Sequence, residues 1–240
     1  MATGRKVEHT SRASSPVRDA LSDHAVPAGV ILDLRKLLAE RFPQTRALPQ
    51  ARLSTGIAPL DEAIGGGLPK GAITELTSPQ LSAGSALLIH RLLQAAHQER
   101  YFLALIDGRD SFDPEPLGNA CLRHLLWVRC TDPLEAVKTA DLLLRDGNFP
   151  LVILDLVLNA AEELRKVPQT SWYRLQRLVE PAPTAFLVLT RRSMISSAQL
   201  KLVLENNWRL ENLQQDENVA RLKIHVQRMQ GGRQDLARTG

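Results

Sequence analysis

The stretch ITELTSPQLSAGSALLIHRLLQ, residues 73–94, decides the fold. It begins with a β-prone apolar run, continues through a loop of small residues, and from Ser85 carries apolar residues at helical spacing. Strand, small-residue loop and helix in this order are the setting of a phosphate-binding loop, whose pattern is G-x-x-x-x-G-K-[ST]. Here the loop ends Ala83-Gly84-Ser85 and contains no lysine. The stretch predicts an α/β fold and leaves open what the loop does.

Strands and helices alternate on both sides of this unit. Short apolar runs separated by periodic helices predict βαβ units and a mostly parallel sheet covered by helices on both faces. The predicted strands are Ile73–Leu76, Tyr101–Ile106, Leu125–Arg129, Pro150–Leu156 and Ala185–Thr190. The predicted helices are Ser85–Glu99, Pro133–Asp146 and Thr170–Val179. Period-two alternation in Trp208–Leu213 and Ala220–Gln227 predicts a C-terminal β-hairpin that closes one edge of the sheet.

The predicted core, residues 53–230, has extensions at both ends. Residues 1–27 are rich in Ser, Thr, Arg and Pro and predict a disordered leader, and residues 231–240 predict a polar tail. Residues 28–52 predict an amphipathic N-terminal helix followed by a linker, and the helix either packs on its own domain or docks on another protein. Its candidate docking residues are Ile31, Leu34, Leu37 and Leu38.

Composition excludes several classes of protein. With 240 residues, 44% of them apolar, the chain can build one full-sized globular domain. Cys121 and Cys130 lie outside any C-x-x-C spacing, so neither a zinc site nor a disulfide framework is expected. No apolar run approaches the roughly 18 residues needed to span a bilayer, and we expect a cytoplasmic protein without membrane contact.

Residues 53–76, LSTGIAPLDEAIGGGLPKGAITEL, resemble the entry to the RecA recombinase core. There an S-T-G-x-x-x-L-D segment and a glycine-rich L-P-x-G turn lead into the strand before the phosphate-binding loop. ALIDGRDSFDP, residues 104–114, is similar to the RecA strand that precedes the catalytic glutamate, and Asp155 stands at the Walker B position. AFLVLTRRSM, residues 185–194, matches the strand that in RecA ends in an Asn-Gln pair sensing the γ-phosphate. The resemblance implies a RecA-like P-loop NTPase core.

The same alignment shows where the ATPase residues are missing. The loop lysine supplies positive charge to the β- and γ-phosphates and the loop glycines admit them, yet Ser78, Ala83, Gly84 and Ser85 stand where Gly, Gly, Lys and Thr belong. Arg109 replaces the catalytic glutamate, and Thr190 lies where the sensor pair should be. We therefore expect a vestigial nucleotide site with no catalytic residue, no metal and no ATP, although Ser85 and Asp155 could still hold Mg²⁺. Its residues are Ser78, Ala83, Gly84, Ser85, Arg109, Asp155 and Thr190.

Two charged residues of this site carry hypotheses of their own. Arg109 would fill the vacated phosphate position by pairing with Asp155 or Asp107. Asp155 itself would be a strand-end aspartate satisfied by backbone N–H groups rather than a metal ligand.

DNA contact is a further prediction. The segments that replace the two DNA-binding loops of RecA lie between Leu156 and Ala185 and between Thr190 and Trp208. Both are short and not glycine-rich, so a RecA-like filament on single-stranded DNA is not expected. A formal charge of +4 and a sequence pI near 9.3 suit sequence-independent phosphate contact without establishing it, and an ordinary solvated face is the alternative. The candidates are Arg191, Arg192, Arg221, Lys223, Arg228 and Arg233.

A minimal RecA-like core with a degenerate loop, an added N-terminal helix and a basic tail resembles ImuA, a bacterial family related to RecA and SulA. The resemblance implies a non-catalytic accessory role in DNA-damage-induced translesion synthesis. The implied partner is ImuB, a homologue of the Y-family polymerases. RecA, an error-prone C-family DNA polymerase and DNA are further candidate partners. A SulA-like inhibitor of cell division and a working RecA-type ATPase stay open as alternatives.

Overall fold

A computed structural model describes residues 51–80, 83–206 and 222–229. The strands in these ranges are β1 (Arg52–Leu53), β2 (Leu68–Pro69), β3 (Ala72–Thr77), β4 (Leu103–Asp107), β5 (Leu125–Arg129), β6 (Leu151–Asp155), β7 (Ala185–Thr190), β8 (Leu200–Leu204) and β9 (Ile224–Met229). The helices are α1 (Ala58–Ala63), α2 (Ser85–Gln98), α3 (Asn119–Leu122), α4 (Pro133–Asp146), α5 (Ala161–Leu164) and α6 (Gln169–Val179). The leader, the N-terminal helix with its docking residues, and the polar tail all lie outside the described residues.

Seven of the described strands form one sheet in the order β5-β4-β6-β7-β3-β8-β9. All neighbouring pairs are parallel except β8 and β9, which are antiparallel. This confirms the predicted α/β fold with a mostly parallel sheet. Because parallel strands end at the same edge, the carboxyl ends of β3, β4, β6 and β7 come together, which is where α/β folds place their ligand sites.

Helices cover both faces of the sheet, and alternate residues of each strand enter different cores. Leu105 and Ile153 face the core that α2 covers, while Ile106 and Val152 face the core under α4 and α6. Burial on both faces explains why the central strands are nearly continuous apolar runs. Trp172 of α6 is fully buried in the second core.

The entry motif of the core is held by the Asp61 carboxylate. It accepts hydrogen bonds from the Thr55 backbone N–H at 3.0 and 3.1 Å and from the hydroxyls of Thr55 and Ser54 at 2.7 and 2.8 Å. The contacts tie the segment after β1 to helix α1. They give the S-T-G-x-x-x-L-D pattern a structural reason that does not involve a nucleotide. Arg52, at the end of the predicted linker, pairs with Pro69 in the β1–β2 ladder.

The C-terminal edge differs from the sequence prediction. The partner of β9 is β8, Leu200–Leu204, which lies in a segment where the resemblance to RecA predicts a loop. Leu200, Leu202 and Leu204 are buried and alternate with less buried residues, as in an ordinary half-covered strand. Trp208–Leu213, the predicted first strand of the hairpin, lies outside the described residues.

Candidate functional site

The carboxyl edge of the sheet gathers the predicted nucleotide-site residues from four strands. Asp107 ends β4, Asp155 ends β6 and Thr190 ends β7, while Ser78 follows β3. The register sets Asp107 beside Asp155, and the Ser78 backbone N–H donates to the Thr190 carbonyl oxygen at 2.7 Å. The fold therefore brings Ser78, Asp155 and Thr190 to one edge, as the resemblance implies.

In the described part of the loop between β3 and α2, several polar groups donate to backbone carbonyls of the protein itself. The Ser78 hydroxyl and the Ala83 backbone N–H both donate to the Gln80 carbonyl oxygen, at 3.1 and 3.2 Å. The Ala83 methyl is fully buried in the core beneath α2. Two backbone N–H groups, of Ser78 and Ala83, thus donate to protein carbonyls and not outward into a phosphate cradle.

Gly84 forms the N-cap of α2 with φ of 99°, a value that side-chain-bearing residues rarely adopt. The resemblance to RecA implies that the loop lysine would stand at this position. A lysine here would be strained in this backbone conformation, and its absence removes the charge that would face the β- and γ-phosphates. Ser85, the first residue of the helix, is almost completely buried.

Arg109 does not fill the phosphate position by pairing with Asp107 or Asp155, so that hypothesis is wrong. Its guanidinium contacts the Glu163 carboxylate at 3.5 Å and donates to the Thr131 carbonyl oxygen at 3.4 Å. The reason lies in the turn after β4, where the buried Asp107 carboxylate already accepts backbone N–H groups. Its backbone donors are Arg109, Ser111 and Phe112, at 3.2, 2.7 and 2.7 Å.

Asp155 accepts one backbone hydrogen bond, from the Val157 N–H at 3.0 Å. This is the kind of contact expected for a retained strand-end aspartate. Burial raises the pKa of Asp155 to about 6, and the neighbouring Asp107 carboxylate pushes it in the same direction, while the Val157 hydrogen bond opposes both. The ionised form of Asp155 therefore carries a desolvation cost in the folded protein, although it still predominates above pH ~6.

We expect Asp155→Asn to stabilise the fold by about 1–2 kcal/mol at pH 8. Folding raises the pKa of this carboxyl from an ordinary value near 3.8 to about 6. Its ionisation therefore does not lower the free energy of unfolding below pH ~4 and lowers it by the full amount above pH ~6. The amide oxygen of asparagine can still accept the Val157 N–H. Urea denaturation at pH 8 and pH 4 measures the effect, and the gain should vanish at pH 4. A destabilised variant at pH 8 would mean that a cation or another group compensates the charge.

A buried ion pair lies beside this edge, in β3. The Glu75 carboxylate is inaccessible to solvent and contacts the Lys201 ammonium of β8 at 2.9 Å. It also accepts hydrogen bonds from the Met194 and Ile195 backbone N–H groups at 2.6 and 3.0 Å and from the Ser193 hydroxyl at 2.9 Å. Glu75 thereby fixes the segment that follows β7. This segment begins with Arg191 and Arg192.

The described DNA-contact candidates do not form a single patch. Arg191 and Arg192 are exposed after β7, and strands β3 and β8 separate them from β9. Lys223 immediately precedes β9, whereas Arg228 lies opposite Lys201 near the other end of β8. Arg221 and Arg233 lie outside the described residues. DNA contact by these side chains stays a prediction.

In residues 51–80, 83–206 and 222–229, every helix is too short or too polar to cross a bilayer. Within the same ranges, His, Cys, Asp and Glu side chains form no cluster of three or more with the arrangement of a metal site.

Comparison with known proteins relates the chain to RecA over about half its length. Residues 52–106 match a family of unknown function, DUF7125. Over 121 residues the chain is 35% identical to Protein RecA of Clavibacter michiganensis subsp. michiganensis, which is 49% of this chain and 33% of that protein. It is 33% identical over 109 residues to Protein RecA of Chlorobaculum parvum, with coverage of 44% and 31%.

A plant relative gives a similar match. The chain is 33% identical over 107 residues to DNA repair protein recA homolog 1, chloroplastic, of Arabidopsis thaliana, with coverage of 43% of this chain and 24% of that protein. The chain thus spans a third or less of the length of these relatives. With the sheet order and the site geometry, the similarity supports a RecA-like relationship.

Proposed function

We propose that this chain is a non-catalytic, RecA-like accessory protein in DNA-damage-induced translesion synthesis, of the ImuA kind, and that it acts by binding ImuB. The observation that carries the non-catalytic part is the described part of the loop after β3. The Ala83 methyl is buried in the core, the Ala83 N–H donates to Gln80, and Gly84 occupies the place of the lysine. Arg109, in the place of the catalytic glutamate, pairs with Glu163.

The link to DNA repair rests on the similarity of the chain to RecA proteins. The relatives are RecA proteins, and the Arabidopsis protein is named a DNA repair protein. The assignment to translesion synthesis and to ImuB rests on the resemblance to ImuA. RecA and an error-prone C-family polymerase are candidate members of the same assembly. Exposed Lys223 and Arg228 are candidate contacts to DNA that the assembly holds.

The catalytic part of the proposal is tested by ATP turnover of the purified full-length chain, with Mg²⁺ and with or without single-stranded DNA. We expect a rate below about 0.01 s⁻¹, a thousandth of the ~10 s⁻¹ median of enzymes, because lysine and glutamate are both missing. The matched control is Asp155→Ala, which removes the remaining Walker B carboxylate. Turnover above this level that disappears in the control would establish a working RecA-type ATPase and contradict the proposal.

The partner is tested by affinity purification of the tagged full-length chain from cells exposed to a DNA-damaging agent. Recovery of ImuB supports the accessory role. Recovery of the tubulin-like division GTPase without ImuB would instead support a SulA-like inhibitor of cell division.

A further inference from the structure

A cavity of about 800 Å³ opens at the carboxyl edge of the sheet, and the loop residues Ala83 to Ser85 do not line it. Its walls come from the segment between β6 and α6, from the residues after β7 and from Pro79 after β3. The volume is in the upper part of the range of about 300–1,000 Å³ that is usual for ligand sites. Its size therefore admits a ligand larger than an ion or a single side chain.

Apolar side chains form much of the wall. Val167 is buried, Met194 is half-buried, and Leu158 is 48% exposed although it is a large aliphatic residue. An exposed leucine at the mouth of an apolar cavity loses unfavourable contact with water when a ligand covers it. This wall favours a ligand that brings apolar groups.

Three arginines, Arg165, Arg191 and Arg192, give the same cavity its charge. All three are exposed, and none forms an ion pair in the part of the chain that the structure describes. Among the residues that the structure describes, no acidic side chain lines the cavity. Other arginines of the fold do have carboxylate partners, namely Glu163, Asp110 and Asp141. The cavity therefore combines apolar walls with uncompensated positive charge.

The wall is also held in place from within the protein. Glu75 accepts the Met194 and Ile195 backbone N–H groups, and the Gln169 side-chain amide donates to the Met194 carbonyl oxygen at 3.2 Å. These contacts fix the segment after β7 to the core on one side and to the start of α6 on the other. A preformed wall lowers the entropy cost of binding.

We propose that this cavity binds a short acidic segment of a partner protein, whose aliphatic or aromatic side chains enter the cavity while its carboxylates meet the three arginines. Guanidinium groups bind carboxylates through paired hydrogen bonds, which makes arginine suited to such a rim. Single-stranded DNA fits the observations less well, since none of the described side chains that line the cavity is aromatic and could stack on a base. The proposal goes beyond the accessory role and does not depend on whether the chain hydrolyses ATP.

Fluorescence anisotropy of the full-length protein provides the test. The probe is a short fluorescein-labelled peptide in which Asp and Glu alternate with Leu and Phe. The wild-type protein should bind it, and the variant R191E/R192E should bind at least about tenfold more weakly, since two attractive charges become repulsive. Leu158→Asn removes apolar contact without changing the charge and should weaken binding about fivefold.

The matched control is K138E/R177E, which changes the net charge by the same amount on exposed positions of α4 and α6 away from the cavity. Its affinity should stay within about twofold of wild type. A neutral peptide with Asn and Gln in place of the acids should bind at least about tenfold more weakly.

Three outcomes would overturn the proposal. The acidic probe fails to bind the wild-type protein, or R191E/R192E binds it as well as the control does. In the third, oligo(dT) displaces the probe, and its binding requires the two arginines but not Leu158. That result would make DNA the ligand. The ATP turnover assay and the recovery of ImuB are separate measurements. Failure of this proposal can therefore be distinguished from failure of the proposed function.

Discussion

Glu75→Ala is expected to lower the free energy of unfolding by about 3–5 kcal/mol. The Glu75 carboxylate is buried and balances the Lys201 ammonium, whose side chain is 13% exposed. It also accepts the Met194 and Ile195 backbone N–H groups. Removal leaves a buried charge without its partner and two backbone donors without an acceptor, and each adds a desolvation cost. Urea denaturation of the full-length protein, followed by circular dichroism, measures the loss.

A double variant separates the ion pair from the hydrogen bonds. Lys201→Met removes the ammonium, so the combination with Glu75→Ala should recover about half of the stability that Glu75→Ala loses. The unpaired N–H groups of Met194 and Ile195 account for the remainder. A loss below about 1 kcal/mol for Glu75→Ala would contradict the buried network. The same variant should weaken binding of the acidic peptide, because Glu75 fixes the wall that carries Arg191 and Arg192.

Local signals explain why most of the fold could be predicted. Helix α4 was predicted with its observed bounds, since Asp132 caps it by accepting the Leu134 N–H at 2.6 Å and Gly147 ends it with φ of 70°. Strands β5 and β7 were also predicted residue for residue. Each is an uninterrupted β-prone run. The evidence for these elements lies within a few residues along the chain.

Strand β8 was missed although its sequence carries the right pattern. Leu200 to Leu204 alternates in burial as a strand with one covered face does. The resemblance to RecA placed a DNA-binding loop there, and that expectation outweighed the alternation in a run of five residues. For residues 200–204, the alternation of apolar residues therefore predicts the secondary structure better than the resemblance to a distant relative whose loop differs in length.

Long-range pairing could not be predicted from the sequence. Glu75 and Lys201 are neighbours only because β3 and β8 pair. A charged residue inside a strand buried on both faces does imply some partner, but nothing local identifies it. Arg109 was assigned to the wrong carboxylates for a related reason. The backbone N–H groups of Arg109, Ser111 and Phe112 already donate to the Asp107 carboxylate. The Arg109 side chain contacts Glu163 instead.

Part of the candidate site could likewise be predicted from the sequence, and part of it could not. The identities of Gly84, Arg109 and Thr190 could be set against RecA from the sequence alone. That Ala83 is buried, and that the loop carbonyl of Gln80 accepts its N–H, depends on three-dimensional packing. The cavity was not predicted, since its walls come from three separate segments of the chain.

Gly67→Ala is expected to cost about 3–5 kcal/mol, because it combines backbone strain with a steric clash. Gly67 has φ of 128°, and a Cβ atom there would lie 2.2 Å from the Leu53 carbonyl oxygen and 2.6 Å from its carbon. The overlap is with backbone, which cannot move without breaking the pairing of Leu53 with Leu68 in the β1–β2 ladder. Thermal unfolding and urea denaturation of the full-length protein would both register the loss.

The matched control is Gly66→Ala, one residue earlier. Gly66 has φ of 103°, so alanine is strained there too, but the nearest atom to its Cβ would be the Arg52 Cδ at 3.9 Å. We expect a cost of about 1–2 kcal/mol from the backbone alone. Equal losses for the two variants would mean that close approach to β1 is not what requires the glycine. If Gly67→Ala loses more, the glycine-rich turn is required by packing, which explains why a chain without the nucleotide-binding lysine retains it.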